Sequence, residues 1–214
     1  MRGGRDGDTR QRLVDVATRQ FAERGFKYVT VRAICREARA NIAAVNYHFG
    51  DKLGLYREVL EQASSVITKL TAEAIAAGKG LAPDDRLRSY IRIHCQYILR
   101  KSPDTQLHQL MHRELNEPSE FFEQIIQRVW RPRFDYLAGI VAELVGRPAS
   151  DDQVMRCAMS VHAQVIMFRP MRAGQYLAVD IVRLLQVDAV ADHIATFSLA
   201  GIGTLRAPRA RTRR

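Results

Sequence analysis

Between residues 41 and 47 the chain carries side chains suited to reading the edges of DNA bases. Ala43 and Ala44 are small enough to allow a close approach, and their methyl groups can touch the methyl group of thymine. Asn46 has both a donor and an acceptor, so it can read adenine through two hydrogen bonds. With helical spacing, the residues that face outward are Asn41, Ala43, Ala44, Asn46 and Tyr47. This pattern predicts a helix that enters the major groove of duplex DNA.

Hydrogen-bond donors and cations flank that helix, as contacts with the phosphate backbone require. Tyr47 and His48 can donate to phosphate oxygens. Lys52 adds a positive charge at the start of the next helix, where the helix N-terminus itself favours an anion. Ahead of the helix, Thr30 offers a hydroxyl group and Arg32 a guanidinium group. Phosphate contacts set the position of the protein, and the few base contacts set its sequence preference.

Each of these residues also has an ordinary structural interpretation. Asn41 can serve as a helix N-cap alone, and Tyr47 can be a packing residue. His48 can be a surface histidine, and Arg32 can pair with a neighbouring acid. The prediction of a DNA contact surface therefore depends on the whole set of residues and not on any single member.

Helical periodicity runs through nearly the whole chain and strand-like alternation is almost absent, which predicts an all-α fold. The segment over about residues 30–50 is a predicted helix-turn-helix. Thr30 and Asn41 are expected to cap its two helices, and Gly50 is expected to end the second. The residues expected on the inward side of the second helix are Ile42, Val45 and Phe49.

Capping signals mark other helices. Asp8 with Gln11 predicts the start of the first helix, and Ser150 with Gln153 the start of a later one. Pro132 is expected to kink a long helix. Helices after the helix-turn-helix are expected over about residues 51–77, 84–101, 104–115, 119–145, 150–168, 178–186 and 188–205.

Composition narrows the class of protein. The 214 residues carry a net charge of +10, with 47% hydrophobic and 26% charged residues. Residues 1–61 hold 12 Lys and Arg against 8 Asp and Glu, residues 62–205 hold 16 against 15, and residues 206–214 hold five Arg and no acid. A basic front fits a polyanionic partner, although a merely solvated surface would show the same excess. Residues 206–214 are expected to be a disordered tail that either adds phosphate contacts or has no role.

No targeting or membrane segment is evident. The chain has no run of about 18 apolar residues and no apolar segment near its start, so we expect a cytoplasmic protein without a membrane partner. No two of the three cysteines, Cys35, Cys95 and Cys157, form a CxxC motif, and all three are expected to be reduced thiols.

Three segments together resemble the N-terminal domain of the tetracycline-repressor (TetR) family. They are ATRQFAERGF over residues 17–26, TVRAICREA over residues 30–38 and YHFGDKLGLYREVL over residues 47–60. The resemblance implies a homodimer of all-helical subunits that binds a near-palindromic operator and acts as a ligand-responsive repressor. The family contact positions carry over to Thr30, Arg32, Asn41, Ala43, Ala44, Asn46, Tyr47, His48 and Lys52.

One departure removes a cation from the expected contacts. Many members open the recognition helix with a sequence similar to Ser-Lys-Gly, where this chain has Asn41-Ile42-Ala43. The NIAAVNYHFG segment instead resembles the CecR/YbiH-like branch, as do later segments such as HRELNEPSEFFEQIIQRVWRPRFDYLAGIV.

The expected organisation is a DNA-binding domain over residues 8–66 and an effector-binding and dimerisation domain over residues 80–205. The helices over about residues 150–168 and 188–205 are apolar on more than one side, which favours a dimer seam built from these last two long helices. A core confined to one subunit is the alternative explanation.

A small-molecule effector of unknown identity is expected to bind between the middle helices, where aromatic and histidine side chains concentrate, and no other cofactor is expected. The candidate lining residues are His94, Tyr97, His108, Met111, His112, Phe122, Trp130, Phe134 and His162.

Other functions find less support in the sequence. His108 and His112, with Glu114 nearby, have a spacing that can hold zinc, but Gln109 stands where the metalloprotease pattern needs glutamate. No GxSxG, phosphate-binding loop or GxGxxG motif is present, so no catalytic residue is assigned. A helical adaptor or a membrane-surface protein that uses the arginine tail remains a further alternative.

Overall fold

The computed structural model describes residues 3–99, 104–168 and 185–206. Helices account for the regular structure throughout these ranges, in which no strand occurs, and the all-α prediction is confirmed. The chain divides into two compact units. Unit 1 takes the described residues of Met1–Thr68 and Ser102–Val129, and unit 2 those of Lys69–Lys101 and Trp130–Arg214.

Unit 1 contains the predicted helix-turn-helix. Its helices are α1 (Gly3–Arg24), a 3-10 turn (Phe26–Tyr28), α2 (Val31–Ala38), α3 (Ile42–Phe49), the first part of α4 (Lys52–Gly78), α6 (Asp104–Asn116) and α7 (Phe122–Ile125). The first helix begins before Asp8, so the predicted N-cap there is wrong. Asp8 lies inside α1 and pairs with Arg12 one turn later.

An aromatic cluster holds α1 and α4 together. The Phe21 and Tyr56 rings meet edge to face with centroids 4.9 Å apart, and Phe26 lies 4.7 Å from Tyr56. Gly25 ends α1 with φ +84, a conformation that favours glycine because a side chain would be strained there. The chain can therefore fold back at Gly25 and place Phe26 against Tyr56.

Helix α6 packs against α1 within unit 1. Nη2 of Arg113 donates to the carbonyl oxygen of Glu23 at 3.2 Å, near the C-terminus of α1. The predicted C-terminal domain covers residues 80–205, whereas the contacts group the described residues 104–129 with the N-terminal unit. Contacts between helices about ninety residues apart in sequence decide the difference.

Unit 2 contains the last part of α4, α5 (Pro83–Leu99), α8 (Arg131–Val145), α9 (Asp152–Met167) and α10 (Val187–Gly203). Its core is formed by aliphatic side chains of α5, α8, α9 and α10 that are almost fully buried. The long helix expected over 119–145 is interrupted by a π-helical turn at Ile126–Trp130, just before Pro132. The N-cap of α9 is Asp151 rather than Ser150, because the Asp151 carboxylate accepts from the backbone N–H of Gln153 at 2.8 Å.

Two predicted segments fall largely outside the described residues. These are most of the helix expected over residues 178–186 and all but the first residue of the tail 206–214.

Candidate nucleic-acid interface and effector residues

Side-chain caps and one left-handed residue build the helix-turn-helix. The Thr30 hydroxyl accepts from the backbone N–H of Ala33 at 3.2 Å and starts α2. Arg39 closes α2 in the left-handed conformation, with φ 52. The Asn41 side chain then accepts from the backbone N–H of Ala43 at 3.1 Å and starts α3. The predicted capping roles of Thr30 and Asn41 are confirmed.

The outer face of α3 is mostly polar or small. Tyr47 is 76% exposed, Val45 is fully buried and Ala44 is half-buried. The other exposed residues of this segment are Asn41, Ile42, Ala43 and Asn46. The structure therefore leaves the side chains expected to reach bases accessible from one side of α3.

Ile42 does not take the inward position expected for it. Its side chain is 41% exposed. Side chains on a helix lean toward its N-terminus, so the first residue of α3 projects beyond the turn that packs on the core. The exposed face of α3 thus gains a branched apolar side chain that sequence reasoning missed, and the signal was its place as the first helical residue.

The hydrogen-bond donors and cations that flank α3 differ in their exposure and in their contacts. Arg32 and Thr30 are exposed, and in the described ranges no carboxylate lies within ion-pair distance of Arg32. The Lys52 ammonium lies 4.3 Å from the Phe26 ring centroid, and partial burial lowers the pKa of this group. His48 is half-buried, with its ring centroid 4.9 Å from that of Tyr47. Lys52 and His48 therefore have packing contacts as well as access to solvent.

The junction between α3 and α4 is sterically fixed. Gly50 has φ +81, and the Asp51 carboxylate accepts from the backbone N–H of Gly54 at 2.7 Å. A Cβ atom on Gly54 would stand 1.9 Å from the carbonyl oxygen of Phe49. Glycine is thus required for α4 to begin close behind the end of α3, and this junction sets the direction of the exposed face.

The candidate effector residues do not gather in one unit. Five lie in unit 2, namely His94, Tyr97, Trp130, Phe134 and His162. Four lie in unit 1, namely His108, Met111, His112 and Phe122. Within unit 2, Trp130 and His162 meet edge to face with ring centroids 5.9 Å apart. Within unit 1, the rings of His108 and His112 lie 4.5 Å apart.

Sequence reasoning also missed Arg133, which lies on α8 and is only 2% exposed. Arginine is almost always a surface residue, so the sequence contained no signal that this one is buried.

Neither a metal cluster nor a membrane helix is found where the structure can be described. Over residues 3–99, 104–168 and 185–206 no group of three or more His, Cys, Asp or Glu side chains could hold a metal ion. None of the helices in these ranges combines the length and the apolar character that a membrane-spanning segment needs.

Two family models match the chain and divide it between them. The model described as "Bacterial regulatory proteins, tetR family" matches residues 13–59. The model described as "HTH-type transcriptional dual regulator CecR, C-terminal domain" matches residues 83–202, more than half of the chain. The chain belongs to the TetR family, with a C-terminal domain of the CecR type. The TetR family is one of transcriptional regulators and not of enzymes.

Relatives of this TetR-family chain include named repressors. The probable acrEF/envCD operon repressor of Escherichia coli K12 is 33% identical over 92 residues, which cover 43% of this chain and 41% of the relative. The dual regulator CecR of Shigella flexneri is 25% identical over 168 residues, or 75% of each chain. The match to the Escherichia coli repressor thus spans less than half of that protein's length.

Solved structures share the fold of this TetR-family chain. A TetR-like regulator from Rhodococcus sp. RHA1 has a TM-score of 0.64 and 18% identity over 91% of this chain and 95% of its own. AibR, solved in complex with isovaleryl coenzyme A and operator DNA, has a TM-score of 0.68 and 16% identity over 88% of this chain and 97% of its own. At these identities the likeness establishes the fold alone.

Proposed function

We propose that this TetR-family protein is a ligand-responsive repressor that binds a near-palindromic DNA operator as a homodimer in the cytoplasm. The observation that carries the proposal is the outer face of α3. Small and polar side chains are exposed there, Tyr47 most of all, on a helix whose start is capped by Asn41. A helix with such a face can lie in the major groove, because α3 carries no acidic side chain that the phosphate backbones would repel.

The proposed contacts fall into two classes. Asn41, Ile42, Ala43, Ala44 and Asn46 lie toward base edges, with Ile42 and the alanines suited to thymine methyl groups. The proposed phosphate contacts are Thr30, Arg32, Tyr47, His48 and Lys52. The net positive charge of residues 1–61 strengthens attraction to DNA of any sequence.

Exposed apolar residues on α9 and α10 support the homodimer. The two helices pack against each other in unit 2. Met159, Met167 and Phe197 are each more than 60% exposed. Met159 and Met167 lie eight residues apart on one face of α9 and have Ala163, also exposed, between them. A second copy of the same two helices would remove these side chains from water and form a four-helix seam.

Responsiveness to a small molecule is proposed for the CecR-type domain. AibR shares the fold and was solved with both isovaleryl coenzyme A and operator DNA. We assign effector binding in this protein to the histidine and aromatic residues of unit 2, namely His94, Tyr97, Trp130, Phe134 and His162. His108, Met111, His112 and Phe122 are retained as candidates within unit 1.

Selection of bound sequences from a random duplex pool tests the proposal. A two-fold symmetric consensus is expected, because each subunit would present one α3 to successive major grooves. Failure to enrich any site, with a folded dimeric sample at low salt, would refute operator binding.

Substitutions on α3 separate base reading from positioning. Asn46→Ala is expected to relax the preference at one base step by about 1–3 kcal/mol. Tyr47→Ala is expected to weaken binding to selected and random duplexes alike, since phosphates carry no sequence information. Asn116→Ala removes another exposed asparagine of unit 1 and serves as the control, with unchanged affinity expected. An equal loss on selected and random DNA for Asn46→Ala would contradict its role in base reading.

A further inference from the structure

Arg133 is a buried cation that has no ion-pair partner among the described residues. The side chain is 2% exposed, and both of its terminal nitrogens, Nη1 and Nη2, lack a hydrogen-bond partner. Only Nε makes a hydrogen bond, donating to the Tyr90 hydroxyl at 3.4 Å. No acidic side chain of the described residues lies within ion-pair distance of Arg133. A charged group in such surroundings is costly to keep, which points to a partner that the polypeptide does not supply.

His94 lies beside this cation and does not compete for an anion. It is fully buried, and its Nδ1 lies 2.7 Å from the carbonyl oxygen of Tyr90. Burial lowers the pKa of His94 well below its ordinary value, and the Arg133 charge lowers it further. The ring is therefore neutral at pH 7, and Nδ1–H donates to the Tyr90 carbonyl. Nε2 has no hydrogen-bond partner and is left as an acceptor, so His94 adds no positive charge beside Arg133.

Aromatic rings lie close to Arg133 and His94. The guanidinium carbon of Arg133 lies 5.7 Å from the Trp130 ring centroid, and Trp130 meets the ring of His162. The rings of Tyr90 and His94 lie 4.0 Å apart. Residues of α5, α8 and α9, with Trp130 just ahead of α8, thus bring one cation and several rings together inside unit 2.

We propose that Arg133 anchors a small-molecule effector that carries a single carboxylate on an apolar body, and that Nη1 and Nη2 bind the carboxylate together. A planar guanidinium group matches a carboxylate through two parallel hydrogen bonds. A phosphate monoester would bring a charge of about −1.5 to −2, which the single charge of the Arg133 guanidinium group does not balance. The aromatic side chains provide contacts for the apolar body. The assignment rests on the proposed effector-responsive function and names the chemical class of the effector.

Trp130 makes the site directly observable, because it is the only tryptophan of the chain. We would titrate the full-length protein with sodium hexanoate and sodium phenylacetate and follow tryptophan fluorescence at constant sodium concentration. Hexanamide and phenylacetamide serve as neutral ligands of nearly the same shape. The acids are expected to give a saturable change, and the amides are expected to bind at least about tenfold more weakly, since they lack the charge.

Three variants assign the effect to the guanidinium group. Arg133→Met is expected to weaken acid binding at least about tenfold. The affinity of Arg133→Lys is expected to lie between those of the wild type and Arg133→Met, because lysine keeps the charge and loses the planar pair of donors. Arg131→Met is the matched control on the same helix, since Arg131 is exposed and its Nε lies 3.9 Å from Oδ2 of Asp135. Its affinity for the acids should equal that of the wild type.

Thermal unfolding of the free protein distinguishes a binding role from a structural one. Replacing an unpaired buried charge by an apolar side chain of similar length removes a cost, so Arg133→Met is expected to raise the Tm by about 2–4 °C. A lower Tm for Arg133→Met would show that Arg133 holds the fold together and would overturn the proposal.

The remaining outcomes separate this site from the regulatory function. The titrations contain no DNA, so absence of a saturable acid response, equal binding of the amides or unchanged acid binding in Arg133→Met would refute the carboxylate site. An acid that binds at Arg133 and leaves the affinity for the selected duplex unchanged would refute its effector role. Failure of the wild type to bind any duplex would refute the proposed repressor function and would not move the fluorescence result.

Discussion

Replacing Tyr56 by phenylalanine is expected to lower the free energy of unfolding by about 2 kcal/mol at pH 7. Tyr56 on α4 donates a hydrogen bond to Glu114 on α6, and both side chains are 1% exposed. The Glu114 carboxylate also accepts from the Ser119 hydroxyl at 2.8 Å and from its backbone N–H at 3.1 Å. Loss of the Tyr56 hydroxyl leaves a buried carboxylate with fewer donors, and hydrogen bonds to charged groups contribute about 1.5–3 kcal/mol.

The cost of this substitution should shrink in alkaline solution. Burial raises the pKa of Tyr56 above its ordinary value of 10.0, and the hydrogen bond to Glu114 raises it further. The unfolded chain therefore releases the tyrosine proton at a lower pH than the folded protein does. The contribution of the Tyr56 hydroxyl to the free energy of unfolding is fully present below pH 10. Above pH 10 this contribution falls by about 1.4 kcal/mol for each pH unit. At pH 11 the difference between wild type and Tyr56→Phe should be below about 1 kcal/mol.

Urea unfolding followed by far-ultraviolet circular dichroism, with a reducing agent present, measures both values. Tyr28→Phe provides the control, because Tyr28 is 70% exposed and should show almost no change at either pH. A Tyr56→Phe cost that is the same at pH 7 and pH 11 would refute the linkage reasoning. A cost below about 0.5 kcal/mol at pH 7 would refute the energetic role of the hydrogen bond itself.

Three further predictions concern the α3–α4 junction, the capping of α2 and the dimer. Gly54→Ala is expected to lower the free energy of unfolding by about 1–3 kcal/mol and to weaken duplex binding. Gly139 lies on α8 with open space around it, so Gly139→Ala should raise the free energy of unfolding by about 0.5–1 kcal/mol. Urea unfolding measures both changes. Thr30→Ala is expected to cost about 1 kcal/mol in the same assay through loss of the N-cap, and a cost equal to that of Thr30→Ser would contradict this reasoning. Phe197→Glu should shift the protein from dimer to monomer, as measured by light scattering coupled to size exclusion. Ile75→Glu changes another exposed apolar residue and should leave the dimer intact. A dimer in both variants would exclude the α9–α10 seam.

Much of the helix-turn-helix was predictable because its determinants are local. The capping hydroxyl of Thr30 and the capping amide of Asn41 act on backbone groups two or three residues away, so their roles follow from neighbouring residues. Gly50 was likewise readable as the end of α3. Local rules failed at two caps. Residues before Asp8 were also helical, and Asp151 caps α9 in place of its neighbour Ser150.

The direction of Ile42 and the burial of Arg133 required the structure. A helical wheel gives the angle of a side chain but not where the packed neighbours end, and Ile42 projects past the start of α3. Arg133 lies in a sequence that would suit a solvated helix face, and only the packing of α5 and α8 around it removes water. The candidate effector residues were predicted from the concentration of aromatic and histidine residues along the sequence, and the structure distributes them between two units.

By itself the sequence determined an all-helical fold class, the position of the helix-turn-helix and most of the residues exposed on α3, because hydrogen bonds and periodicity within one or two helical turns decide these features. Only the tertiary structure placed α6 against α1 and enclosed Arg133 away from every acidic side chain of the described residues. Both depend on contacts between helices far apart in the chain, and a buried charge becomes costly only when that packing has removed the water around it.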